Sequence, residues 1–415
     1  MQLVDKLANG YLFLILLLLL FLGKYFTKVH VVGPLYLFEA AYVLFFALVL
    51  LKLRLRLKYR ILYVFALVSI GYLLLSLVTR HGLLGIVMRQ YAAFAYFTIF
   101  LVCFGVLSKQ TRNETYVRYI YLVAVLSVAA NLAYLAVQLL MGQLDLKEGY
   151  NYLTPLTVMG IIVYAAHVLT CEKRRLLRYL KFGGTLLLST TTGHSSAFLA
   201  VFILPFLVLF FRLKKIMKIL VVSLLVVIIG ALILFVPQFS DANAQWRLFY
   251  WLYVAKEIMV DNFGVLGKGF GVPYASDALA YLLQVEQGAS THLGEGLESY
   301  LSPMHNSFLT IFYHIGFLPG LIVFYAHYRY YRFRRRVSDR TVDFLGLSLF
   351  GMSVWCSLNV VLELPHSSLY YWLVYFALLR QIELNDGHPV PPATAATRAW
   401  RFPRQRLPRQ EPAAS

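Results

Sequence analysis

Arg247 and His305 are the side chains best equipped for group-transfer chemistry in this sequence, and they bracket its longest polar stretch, residues 237–304. A guanidinium grips phosphate through a planar fork and stays charged at any relevant pH. A histidine, with an ordinary pKa of about 6.5, exchanges a proton near neutrality. Together they offer phosphate recognition beside proton transfer. Around them stand Arg80, Arg89, Trp251, Asn306 and the run Gly267-Lys268-Gly269-Phe270-Gly271. The polar turn at 190–196 adds His194 and Ser195.

Each of these residues has a plainer reading. An arginine at a helix end also anchors that end at an interface. His305-Asn306 also suits a simple helix cap, whose amides favour an anion. Gly267, Gly269 and Gly271 suit either a phosphate-binding nest or an ordinary turn. His194 and Ser195 are polar at bilayer depth, where function competes with a satisfied polar turn. Glu363 and His366, in the short loop before the last apolar run, form a further pair. Glu257 reads as a helix-surface charge beside Lys256.

The elements that must position these groups are membrane spans. The chain has 415 residues, 60% hydrophobic and only 14% charged, outside the soluble globular range. Apolar runs fall at 10–23, 34–51, 61–79, 91–107, 117–140, 153–170, 182–191, 196–211, 219–236, 306–326, 342–361 and 367–380. Most approach the roughly 20 residues that cross a bilayer as helix. The expected fold is all-α integral membrane with about twelve transmembrane helices. The short runs 182–191 and 196–211 read as a hairpin, whose polar turn needs protein or water around it.

A net charge of +19 would suggest nucleic acid in a soluble protein. Here the charge lies in short loops and no nucleic-acid motif accompanies it, so topology explains it. Twenty-three Lys and Arg fall on one set of loops and five on the opposite short loops. The positive-inside rule puts the first set, and both termini, in the cytoplasm. The organisation is then spans over 1–236, an external loop over 237–304 between spans nine and ten, spans over 305–382, and a tail over 383–415. The Pro/Arg-rich tail is expected to be disordered and to touch anionic lipid. In the external loop, 245–260 reads as a helix capped by Asp241 or Asn243, and 275–286 as an amphipathic one. An acidic run with Glu295 and Glu298 follows.

The leucine-rich start after Lys6 reads as an uncleaved first span. Cys103, Cys171 and Cys356 have no disulfide or zinc spacing, and no metal-ligand cluster is visible. Residues 24–33 contain no acid. That argues against a metal-dependent transferase built on an early Asp-x-Asp pair.

The order of polar turn, basic loop, span, Arg then Trp, Gly-x-Gly-x-Gly, and His-Asn opening a span resembles the bacterial O-antigen ligase and polysaccharide polymerase family. The topology matches over most of the chain, and the specific motifs lie between about 190 and 320. His305-Asn306, nine residues, then Gly316 fits the ligase-type pattern. Pro319 stands where a small or hydroxyl residue is expected, and Ser195 where the family's turn carries arginine. That departure leaves His194, or Arg89 with Arg247, to meet the phosphate, or else the acceptor differs.

The resemblance implies transfer of a glycan from undecaprenyl diphosphate to an acceptor hydroxyl at the outer face of the bacterial inner membrane. It implies no metal, nucleotide sugar or other cofactor. His305 and Arg247 would be catalytic. Arg89, Arg80, His194, Ser195, Trp251, Gly267, Gly269, Gly271 and Asn306 would bind substrate. In a polymerase the acceptor is another lipid-linked glycan, with a chain-length regulator as partner; in a ligase it is lipid A–core. The polymerase is preferred, because the polar turn departs from the ligase pattern. A glycolipid transporter or flippase would instead show inverted repeats and midplane charge. No internal repeat is visible. A membrane scaffold would leave the external arginines and His305 without a role.

Overall fold

The computed structural model describes residues 2–32, 35–50, 59–107, 113–142, 153–235, 242–261, 264–275, 279, 298–301 and 304–386. Its regular elements are helices apart from one short antiparallel pair, β1 (His30–Val32) with β2 (Leu35–Tyr36). The first helices are α1 (Gln2–Lys28), α2 (Leu37–Leu50), α3 (Arg60–Thr79), α4 (Leu84–Leu107) and α5 (Asn113–Leu140). Next come α6 (Pro155–Cys171), α7 (Arg175–Thr190), α8 (Ser195–Phe202), α9 (Leu204–Arg212), α10 (Lys215–Phe235) and α11 (Ala242–Lys256). The last are α12 (Ser307–Ile315), α13 (Tyr325–Arg334), α14 (Arg340–Cys356) and α15 (Pro365–Asp386).

Among the described residues, α3, α4, α5 and the Lys6–Gly23 part of α1 are long and apolar enough to cross a membrane. That is compatible with a membrane-embedded protein. The outward face of α3 carries exposed Leu67, Leu74, Leu75 and Val78, a surface that lipid covers without cost and water does not. The centre is α15, buried on every side from His366 to Leu379. A helix apolar all round belongs in a core, and α15 packs against α1, α4, α5, α6, α13 and α14. Small residues let the inner helices close up. Gly160 of α6 leaves a Cβ only 2.0 Å from Ser127 Oγ on α5, so no larger residue fits there.

Among the described residues each apolar run falls largely on helix, but three of them do not form one uninterrupted helix. The run 196–211 divides at Ile203, where Pro205 lacks the amide that would continue the ladder. The run 306–326 ends its α-helix at Gly316, passes through single turns at Phe317–Gly320 and Leu321–Phe324, and resumes as α13. The run 342–361 stops at Cys356, leaving a non-helical link over 357–364. His366 therefore lies in the first turn of α15, and not in a loop.

The helix expected over 245–260 is α11, finished by a π-turn over Glu257–Asp261. Asn243 lies inside it and is not its cap. Asp241, Glu295, most of 275–286 and the tail beyond Asp386 lie outside the described residues.

Candidate functional site

The start of α12 is where the chemistry-bearing residues meet. Asn306 makes that start, its Oδ1 accepting from Leu309 N at 3.0 Å. Its side chain is thus committed to capping. The residue before it, His305, has φ 52 and is the one non-glycine residue with positive φ among the described residues. Histidine enters this region more readily than most side chains, yet the conformation still costs about 1–3 kcal/mol. The surrounding contacts must hold it there.

Those contacts come from α11. Arg247 and Trp251 are four residues apart, so they share a helix face. Trp251 Nε1 donates to Met304 O at 2.6 Å, pinning the chain one residue before His305. Tyr250, Val254 and Ile258 pack with Tyr274, Met304 and Tyr313 in a small cluster that joins α11 to α12. Arg247 is thereby brought close enough to His305 to act on its titration. Burial, and then the Arg247 charge, push the His305 pKa down to about 4. The ring is neutral at physiological pH and able to take up a proton. A bound anion beside Arg247 would offset that charge and make His305 a stronger base.

This depressed pKa has a measurable consequence. Between about pH 4 and 6.5 the unfolded chain binds a proton at residue 305 that the folded chain does not. The His305 contribution to stability is therefore complete above pH 6.5 and is lost as pH falls toward 4. The thermal stability of the wild type should fall more steeply than that of His305→Gln across this window. At full effect the difference is roughly 3 kcal/mol. Parallel pH curves for the two proteins would show that His305 is not held neutral by its surroundings.

The other side of the α12 start faces the 190–196 turn through the 357–364 link. Ser307 Oγ donates to Glu363 Oε2 at 2.5 Å and accepts from the amides of Val361 and Leu362 at 2.9 and 3.1 Å. Asn359 Nδ2 donates to Ser196 Oγ at 2.7 Å. The turn is held from below by Asn131 of α5, which donates to Leu188 O at 3.2 Å. His194 precedes α8 and sets its ring edge-on to Trp355, with centroids 6.1 Å apart, while Ser195 is exposed. Burial raises the Glu363 pKa, opposed by the Ser307 and Thr310 hydroxyls and by backbone amides. Asn359 and Ser307 were not distinguishable in the sequence as members of this group. Their types are common, and their partners lie far along the chain.

The glycine run does not offer its amides to a ligand. Gly267 N donates to Tyr72 OH at 2.9 Å, Lys268 N to Tyr313 O at 2.8 Å and Gly269 N to His314 O at 3.0 Å. Phe270 N donates to Ser76 Oγ and Gly271 N to Gln90 Oε1, both at 2.8 Å. The nest expectation is corrected accordingly: Gly267, Gly269 and Gly271 form a clamp across α3, α4 and the end of α12. The last carbonyls of any helix lack intrahelical donors, and here Lys268 and Gly269 supply them to α12. A Cβ on Gly267 would lie 2.2 Å from His314 O, so only glycine permits this approach.

Arg80 is drawn into the same clamp. Its guanidinium donates to Phe270 O and, at 3.4 Å, to Lys268 O, so it serves as a backbone strut. Gln90, buried on α4, completes the clamp by donating to Val272 O and Tyr300 O at 2.8 and 2.9 Å. Its neighbour Arg89 is exposed. Glu257 pairs with Lys268 and is not a bystander of Lys256.

The structure thus brings Arg247, Trp251, His305 and Asn306 together. It joins the His194–Ser196 turn to them through Asn359 and Glu363, and assigns Arg80 and the glycines to support. No family model matches the chain, and no curated protein matches it.

Proposed function

We propose that this chain is a membrane glycosyltransferase that polymerises undecaprenyl-diphosphate-linked oligosaccharide repeat units at the periplasmic face of the bacterial inner membrane. It crosses the bilayer about twelve times, with both termini cytoplasmic and residues 237–304 outside between spans nine and ten. The observation that carries the reading is the pairing of Arg247 with a neutral His305 at the α12 start.

In the proposed reaction the acceptor hydroxyl oxygen bonds to the anomeric carbon of the donor glycan. The bond from that carbon to the diphosphate oxygen breaks, and its electron pair leaves with the diphosphate. The hydroxyl proton passes to the His305 ring. Arg247 meets the charge that develops on the leaving oxygen, and exposed Arg89 remains open to the second phosphate. One preorganised donor of this kind is worth about 2–4 kcal/mol of transition-state stabilisation. Acceptor sugars are polyhydroxylated, and the Ser195–Ser196 turn with Asn359 supplies matching polar groups.

The ligase reading is favoured by one feature, the nine-residue spacing from Asn306 to Gly316. Purified protein given undecaprenyl-diphosphate-linked repeat units separates the readings. Longer glycans on the lipid are the expected result. Transfer only after lipid A–core is added would establish the ligase. No glycosidic product in either case, with lipid movement across vesicles, would establish a flippase and overturn the proposal.

A further inference from the structure

A second site lies away from the α12 start, among the basic ends of the helices. A cavity of ≈ 200 Å³ is walled by Thr170 of α6, Arg178 of α7, Phe211 of α9, Tyr330 and Arg334 of α13, and Arg340 of α14. Its lining holds three arginines against one carboxylate, Asp343. Arg334 Nε is bound to Asp343 Oδ1 at 2.7 Å, which neutralises one charge. Arg178 Nε donates to Glu172 O at 2.9 Å. That carbonyl fixes the side chain without neutralising its charge. Arg340 is exposed beside them. The cavity therefore presents two guanidinium charges from different helices, and the one on Arg178 is held in place before any ligand arrives.

The same helices also carry apolar surface. Leu176, Leu180 and Leu187 of α7 are exposed on the face opposite Arg178, turned away from the cavity. Leu209 of α9, next to the lining residue Val208, is also exposed. A ligand suited to both features has an anionic head and apolar tails.

We infer that this cavity binds the phosphate headgroup of an anionic phospholipid, with its acyl chains along α9. Phosphate suits the site because a guanidinium fork matches two phosphate oxygens at once. Basic pockets between spans are an established way of holding such headgroups. The inference takes only the membrane setting from the function proposed above. Its readout is lipid retention, so it stands or falls separately from glycan transfer.

The test uses the full chain in detergent, with native mass spectrometry after addition of phosphatidylglycerol or phosphatidylcholine. The wild type should retain phosphatidylglycerol preferentially. Reversing one charge with Arg340→Glu should lower that retention on the order of tenfold, as expected for loss and inversion of a juxtamembrane charge. Arg340→Lys should keep most of it, and reversal of exposed Arg118 on α5 should change nothing. Circular dichroism melting of each variant separates loss of the site from loss of the fold. Equal retention of both lipids by the wild type, or unchanged retention in a folded Arg340→Glu protein, would overturn the assignment. Displacement of the lipid by inorganic phosphate at equal concentration would also overturn it, by assigning the cavity to free phosphate.

Discussion

Replacing Arg247 by alanine or His305 by asparagine is expected to abolish glycan transfer while leaving the protein inserted in the membrane. Removing a single preorganised donor costs about 10²–10³ in turnover. Removing a general base costs about 10²–10⁴. Asparagine is the better test at residue 305 because the backbone there sits at φ 52, and asparagine tolerates that region. Alanine would mix a backbone penalty into the result. The double variant should be little worse than the poorer single one, since groups that act on one transition state are not additive. Product length on the lipid carrier, read by gel, measures all three. Normal chain extension by both single variants would remove the site assignment while leaving the helical architecture untouched.

Gly316→Ala is expected to have the largest effect on stability. Gly316 has φ 89, and a Cβ there would lie 2.1 Å from Val265 O and 2.8 Å from Val265 C. Both contacts are with backbone, so no side chain can turn aside to make room. The strain of the dihedral alone is about 1–3 kcal/mol, and the overlap adds to it. The route of escape open to the chain, release of 264–269 from the end of α12, would forfeit the Lys268 and Gly269 hydrogen bonds. A loss of roughly 3 kcal/mol or more is therefore expected, read as a lowered melting temperature in detergent. Gly71→Ala is the matched comparison. Gly71 lies within α3 with nothing within 4 Å of a Cβ, and alanine there should stabilise by up to about 1 kcal/mol. Equal melting temperatures for the two variants would mean that the clamp does not hold α12.

The clamp also accounts for a piece of the sequence pattern. A glycine ten residues after Asn306 is needed because α12 must end there with its carbonyls facing another backbone. The requirement is structural at Gly316, whereas His305 in the same short motif is the residue proposed for chemistry. Arg80 teaches the same lesson from the other side. An arginine at the end of a long apolar helix was a fair candidate for phosphate, but the backbone of 268–270 reached it first.

What the sequence determined by itself was local. The apolar runs, the Asn306 cap, the polar turn at 190–196 and the helix carrying Arg247 and Trp251 all follow from neighbours a few residues apart. Hydropathy and capping act at that range, so they are legible without a fold. What only the tertiary structure decided was which polar group meets which. Gly271 finds Gln90 across 181 residues, Gly267 finds Tyr72 across 195, and Ser196 finds Asn359 across 163. A buried amide must take some acceptor, but nothing near it in the chain says whether that acceptor is a ligand or a distant side chain. Packing of the 264–275 segment onto α3 and α4 settled the matter for the glycines. It left Arg247 and His305 as the pair that the fold brings together beside the α12 start.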